Sequence, residues 1–170
     1  FFQTYYRPRN ASLSIAGDID ADRAVALATD YFGDFEPGPE PPPVVAHKAA
    51  LAGETRRVLE DRVELSRLYL AWHSPALFAE DDAELDLVSE VLGGGKTSRL
   101  YRSLVYEQRI ATEIAASQGS RELGSFFQIV ATAAPGRSLA EVERAIATEL
   151  TRVLENGPTA DELERCLAQA

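Results

Sequence analysis

The run Pro37-Gly38-Pro39-Glu40-Pro41-Pro42-Pro43 limits what this chain can build more than any other stretch. Its prolines have a fixed φ and lack backbone N–H donors, so the segment belongs to no helix and to no sheet interior. It reads as a stiff, polyproline-like connector. The 36 residues before it are too few to bury a core alone. The connector is therefore read as a crossing inside one domain, residues 1–170, rather than as a boundary. A chain of this size buries roughly 70% of the surface its unfolded form exposes, enough for an ordinary core.

On either side of the connector the hydrophobic periodicity sets out the elements. Ser12-Leu13-Ser14-Ile15-Ala16 alternates with period two and ends at Gly17-Asp18, a strand running into a turn. Asp20 is placed to cap the next helix, whose Ala24, Leu27, Ala28, Tyr31, Phe32 and Phe35 form one stripe expected to be buried. Beyond the connector, Thr55 to Glu60 and Val63 to Trp72 read as strands. The second carries Leu68-Tyr69-Leu70-Ala71-Trp72, apolar on both faces, and is expected to be central.

Asp81 to Leu92 is predicted helical, with Leu85, Val88, Val91 and Leu92 inward, and Gly93-Gly94-Gly95 stops it. A short helix then starts near Thr97 and carries Leu100, Leu104 and Val105 on one side. Ile110 to Ser117 and Ser125 to Ala133 form a predicted hairpin. Ser138-Leu139-Ala140-Glu141 is a capping box opening a long helix, with Leu139, Val142, Ile146, Leu150, Val153 and Leu154 inward. Asn156-Gly157-Pro158 ends that helix, and Thr159-Ala160-Asp161-Glu162 caps the last one. Strand pairs in succession favour an α+β fold: a mainly antiparallel or mixed β-sheet with helices packed on it.

Charge narrows the partners. Seventeen Lys and Arg against 27 Asp and Glu give a formal charge of −10, which argues against nucleic acid and against an anionic membrane surface. No apolar run approaches the ~20 residues that span a bilayer. The single Cys166 excludes an intrachain disulfide, leaves the compartment open between periplasm and cytoplasm, and reads as a buried apolar thiol. The chain has no methionine and both ends cut across patterns, so a piece of a larger polypeptide is expected. Its alanine- and arginine-rich usage fits a GC-rich bacterial genome.

Candidate chemistry is sparse. Gly93-Gly94-Gly95-Lys96-Thr97-Ser98 invites a phosphate-loop reading, but the pattern needs a glycine where Glu90 stands, and a strand rather than a helix before it. The alternatives are a helix C-cap with a flexible turn, or a loop whose accessible backbone N–H and C=O groups pair with an extended peptide. Zinc needs three or four converging ligands. Only His47 and His73 exist, 26 residues apart, and both read as surface or strand-end residues. Neither His-Glu-x-x-His nor His-x-x-Glu-His occurs. No catalytic and no metal residue is assigned.

Several stretches together resemble the pitrilysin/insulinase family of zinc metallopeptidases, the inverzincins that include mitochondrial processing peptidase and insulin-degrading enzyme. They are Tyr5-Tyr6-Arg7-Pro8-Arg9-Asn10-Ala11 followed by Leu13 to Asp20, then Tyr31-Phe32-Gly33, and above all Leu92 to Tyr101 continuing through Leu104-Val105-Tyr106-Glu107 to Ile110-Ala111. The resemblance implies the sheet-and-helix fold of that family, and that this piece is the second, non-zinc domain of a half. The family's metal ligands and catalytic glutamate lie upstream of it, so zinc is implied for the parent enzyme and none for this piece. Non-catalytic halves of many members carry an Arg and a Tyr at the positions that here are Val105 and Thr112. Arg99 and Tyr106 fall too early to be equated with them. This departure favours the second domain of a catalytic half; the alternative is a degenerate half that has lost the pair.

The resemblance further implies a structural, substrate-enclosing domain of a zinc endopeptidase. In such an enzyme two halves close around a peptide, and a zinc-bound water attacks the scissile amide. Gly93, Gly94, Gly95 and Lys96 are the expected substrate contacts, and Arg99 is expected to tie the loop to the next helix or to pair with a carboxylate. The implied partners are the upstream zinc-binding domain, a second family half and a peptide substrate. The other reading is a non-catalytic assembly domain, like the family's respiratory-complex core subunits.

Overall fold

The computed structural model describes residues 1–46 and 50–168, in two compact units, Phe1–Val45 and Ala46–Ala170. In the first unit a short helix α1 (Phe2–Tyr5) and a 3-10 turn (Pro8–Asn10) precede α2 (Ala21–Phe32). Asp20 caps α2 as its side-chain type predicts, accepting the backbone N–H of Arg23 at 2.8 Å.

The stripe of α2 is not buried as expected: none of its residues is, and Phe32 remains 54% exposed. It borders, with Leu13, Ile15 and Ile19, an open apolar concavity of about 430 Å³. The physical reason is size, since 45 residues do not enclose both sides of an amphipathic helix. The predicted strand Ser12–Ala16 forms no ladder, because alternation alone supplies no neighbouring backbone to pair with.

The second unit is built on a three-stranded antiparallel sheet of β1 (Arg67–Ser74), β2 (Ala111–Gly119) and β3 (Ser125–Ala133). The order is β1-β3-β2, so β3 is central and β1 lies at an edge, opposite to the expectation for β1. The apolar run of β1 misled because only one face of it packs inward. Leu68 and Leu70 meet the core, whereas Tyr69 is 65% exposed on the other face. Register places Ile129 between Leu70 and Ala116, and a bulge at Thr112 shifts the start of β2. The hairpin of β2 and β3 forms as the sequence predicts. Thr55–Glu60 does not join the sheet. Arg56 instead grips Glu143 with two guanidinium bonds of 2.9 and 2.6 Å.

Helices α3 (Asp82–Gly93), α4 (Leu139–Asn156) and α5 (Ala160–Leu167) accompany the sheet, and the short helix expected after Thr97 includes a π-helical segment (Tyr101–Glu107). Leu92, Leu100, Leu104, Ile129, Val142 and Ile146 are each 0–1% exposed and form the centre of the core. Leu154 is a correction: it is 86% exposed, because it lies one residue, about 100°, around the helix from Val153, which packs inward. Ser138 caps α4 by accepting the N–H of Glu141 at 3.2 Å, but the Glu141 carboxylate pairs with Arg137 instead of closing the box. The Thr159–Glu162 box on α5 is complete, and Cys166 is buried.

At the other end of α3 the Asp82 carboxylate, 5% exposed, collects three donors. They are the Ser120 hydroxyl at 2.6 Å, the Gln118 amide at 3.0 Å and the Phe78 backbone N–H at 3.0 Å. Phe78 and Asp81 both have positive φ, 62° and 70°, so this corner holds strained backbone in place through one acid.

Candidate functional site

The loop from Gly93 to Ser98 joins α3 to the π-helical segment, and its glycines answer to different constraints. A Cβ on Gly93 would overlap the backbone N of Ala116, so the end of α3 sits directly on β2 and only glycine permits that approach. Gly95 adopts φ +98° with nothing within 4 Å of the missing side chain, a left-handed turn facing open space. Between them Gly94 donates its N–H to Glu90 O at 2.9 Å and closes the helix.

Much of the loop backbone is thus used internally. Gly95 N–H bonds Gly93 O at 3.0 Å, and Gly95 O accepts from the Ser98 N–H at 3.2 Å and the Ser98 hydroxyl at 2.7 Å. Ser98 is 1% exposed, which makes it a buried peg beneath the turn. Among the described residues, Gly94 C=O and Lys96 N–H carry no hydrogen bond, and the Lys96 ammonium has no ion pair. Lys96 is exposed at the apex.

Arg99 anchors the far side. Its Nε and Nη2 donate to the two oxygens of Glu162, each at 2.7 Å, and Nη2 also reaches Gly157 O at 2.8 Å. The pairing of Arg99 with a carboxylate follows the sequence expectation. The side chains are 18% and 17% exposed, so the pair is largely out of water. Glu162 also accepts the Thr159 N–H at 2.7 Å and the Thr159 hydroxyl at 3.0 Å. The Arg99 guanidinium, with the two Thr159 bonds assisting, holds the Glu162 carboxyl down at about 2, and burial opposes the shift. Arg99 is in turn raised, chiefly by its hydrogen bonds to Glu162 and against the effect of burial.

Behind the loop, Glu149 is 6% exposed and accepts from Ser103 Oγ at 2.8 Å and from Arg152 at 2.7 Å. This buried acid is not marked by any motif of the sequence. Its only signal was a glutamate on the flank of the apolar stripe of α4. Glu162 was more legible, because a Thr-x-x-Glu box brings its N3 carboxylate to the start of the helix.

The other singled-out residues do not gather here. His73 is exposed on β1, and His47 lies outside the described residues. Val105 packs partly against the core, and Thr112 stands exposed at the bulge with its hydroxyl 3.4 Å from Thr132 O. Among the described residues no three His, Cys, Asp or Glu side chains converge on one point, and Cys166 is shut in by its neighbours. The donors among the described residues do not fit a zinc ion.

A family model described as the peptidase M16 inactive domain matches residues 1–170, the whole chain. The chain belongs to this family. The match agrees with the zinc-peptidase resemblance carried by Leu92–Tyr101 and the segments before it, and with the reading of the piece as the non-zinc domain. Among curated relatives of this M16 inactive domain, the zinc protease PqqE of Helicobacter pylori is 26% identical over 168 residues, covering 97% of this chain and 38% of that protein. An uncharacterized zinc protease of Mycobacterium leprae is 28% identical over 165 residues, covering 92% of this chain and 36% of that protein. The M16 inactive domain here therefore spans less than two fifths of the relatives it matches.

Solved structures give the same fold. A protease from Helicobacter pylori superposes with a TM-score of 0.77 at 24% identity, over 96% of this chain and 40% of that one. A peptidase M16 inactive domain from Pseudomonas fluorescens superposes with a TM-score of 0.66 at 21% identity, over 90% of this chain and 37% of that one. The α+β class expected from the order of elements is the observed one. Among the described residues no helix is long and apolar enough to cross a membrane.

Proposed function

We propose that this M16 inactive domain is the structural, substrate-enclosing domain of a zinc-dependent endopeptidase whose metal site lies in another domain of the protein. The upstream zinc-binding domain and a second family half are its proposed partners, and a peptide is the substrate. One observation carries the reading. The Gly93–Lys96 loop is pegged from below by Ser98 and presents at its apex a carbonyl, an N–H and an ammonium that have no partner among the described residues. That is the equipment for holding an extended peptide backbone and a carboxylate beside it. In this reading the part of the domain is to orient and enclose, and the metal and proton transfer belong to the other domain.

Lys96 gives the cleaner test, since a side chain on Gly94 would strike Glu90 and disturb the helix end itself. In the natural protein, Lys96→Ala is expected to slow peptide hydrolysis roughly tenfold through KM, with zinc content unchanged. Parental turnover in that variant would defeat the reading and leave the assembly-domain alternative standing.

A further inference from the structure

We propose that Arg99 is a positioning residue: with Glu162 it forms a strut that sets where the Gly93–Lys96 loop stands above the start of α5. This rests on the reading of that loop as peptide-facing. The loop hangs between two anchors. On one side Gly93 is jammed against Ala116 on β2, where any side chain would collide. On the other, Ser98 holds Gly95 O, and the next residue, Arg99, fastens the chain to Glu162 and Gly157 with three hydrogen bonds of 2.7–2.8 Å.

Between the anchors lies Gly95, left-handed and with open space where a side chain would stand, so its short bonds to Gly93 and Ser98 hold the turn without any side-chain packing at the apex. A glycine there populates several backbone wells once one end is loose. The planar fork of Arg99 removes that freedom, because it is held at Nε and Nη2 together and cannot swivel as a lysine would. Glu162 adds rigidity to the far end, since the same carboxylate closes the capping box of α5. The sequence element that displays Lys96 is thereby tied to a helix more than 60 residues later, Arg99 to Glu162 being separated by 63.

The test uses the natural protein and compares Arg99→Gln, Glu162→Gln, the exchange Arg99→Glu with Glu162→Arg, and Lys96→Ala. Arg99→Gln is expected to raise KM for a long peptide about tenfold with kcat within about twofold, and the exchange to recover part of the loss. Amide hydrogen exchange over residues 93–98 is expected to quicken roughly fivefold in Arg99→Gln while the core strands keep their protection. A purely structural role would change global stability and leave KM and the local exchange alone, and that result overturns the proposal.

A Lys96→Ala defect beside parental kinetics for Arg99→Gln also sinks the strut while sparing the loop reading. Parental kinetics in both sinks the loop reading and the strut with it. If Arg99→Gln does not fold, Arg99→Lys, which keeps the charge but not the fork, is read by the same criteria.

Discussion

Asp82 and Ser120 meet at 2.6 Å across 38 residues of sequence, and this bond closes the corner where α3, the β2–β3 turn and the strained Phe78 segment come together. The Asp82 carboxyl is held below its ordinary range, first by the Ser120 hydroxyl and then by the Gln118 amide, against the opposing effect of burial. Removing the acid strands three donors at once, and unsatisfied donors cost more than the bonds were worth. Asp82→Ala is expected to lower Tm by several degrees, and Asp82→Asn, which keeps one acceptor oxygen, by less. Calorimetry of the two variants beside the parent checks the order; equal melting temperatures for all three would refute the role given to the acid.

The depressed Glu162 carboxyl makes a prediction about acid. Its folded value of about 2 lies below the ordinary 4.5, so its contribution is complete above the ordinary value and is lost as pH falls from there through the folded one. Arg99→Gln is expected to cost about 1–3 kcal/mol at neutral pH, the range for a partly buried charge-assisted pair. That deficit should shrink steadily between pH 4.5 and pH 2 as the parent loses the same interaction. Urea melts of both proteins across this window measure it. A deficit that stays constant to pH 2 would show that the ion pair is not its source.

Gly93 and Gly53 give a paired test of close packing. A methyl group on Gly93 meets the backbone of β2, whereas one on Gly53 meets nothing within 4 Å. Backbone cannot swing aside as a side-chain tip can, so Gly93→Ala is expected to cost about 1–3 kcal/mol, as overpacking does. Gly53→Ala should fall within about 0.5 kcal/mol of the parent. Denaturant midpoints decide it, and similar midpoints for both variants would mean that α3 does not rest on β2 as described.

The elements that were legible in the sequence share a physical basis. Asp20, Ser138 and Thr159 cap their helices by bonds to residues three positions on, so the local chain holds both partners. The hairpin of β2 and β3 was readable for the same reason, its strands being neighbours in sequence. The candidate loop was also visible, as three glycines and a lysine after a helix. What its glycines do was not: among the described residues, Gly93 C=O, Gly94 N–H and both groups of Gly95 are taken by short-range bonds, which leaves Gly94 C=O as the open carbonyl of the triglycine run.

Where partners lie far apart in the chain, pattern alone does not choose among them. Leu68–Trp72 has the composition of a central strand, yet β3 takes the centre because it is the strand that pairs on both sides. Ser12–Ala16 has the alternation of a strand and no ladder, and Leu154 has the spacing of a core residue and faces water. Helix positions, their caps and the family signature were thus written in short-range periodicity and hydrogen bonding. The order of the sheet, the shared duty of Glu162 and the three donors on Asp82 came only with the folded chain, since each depends on backbone brought together across tens of residues.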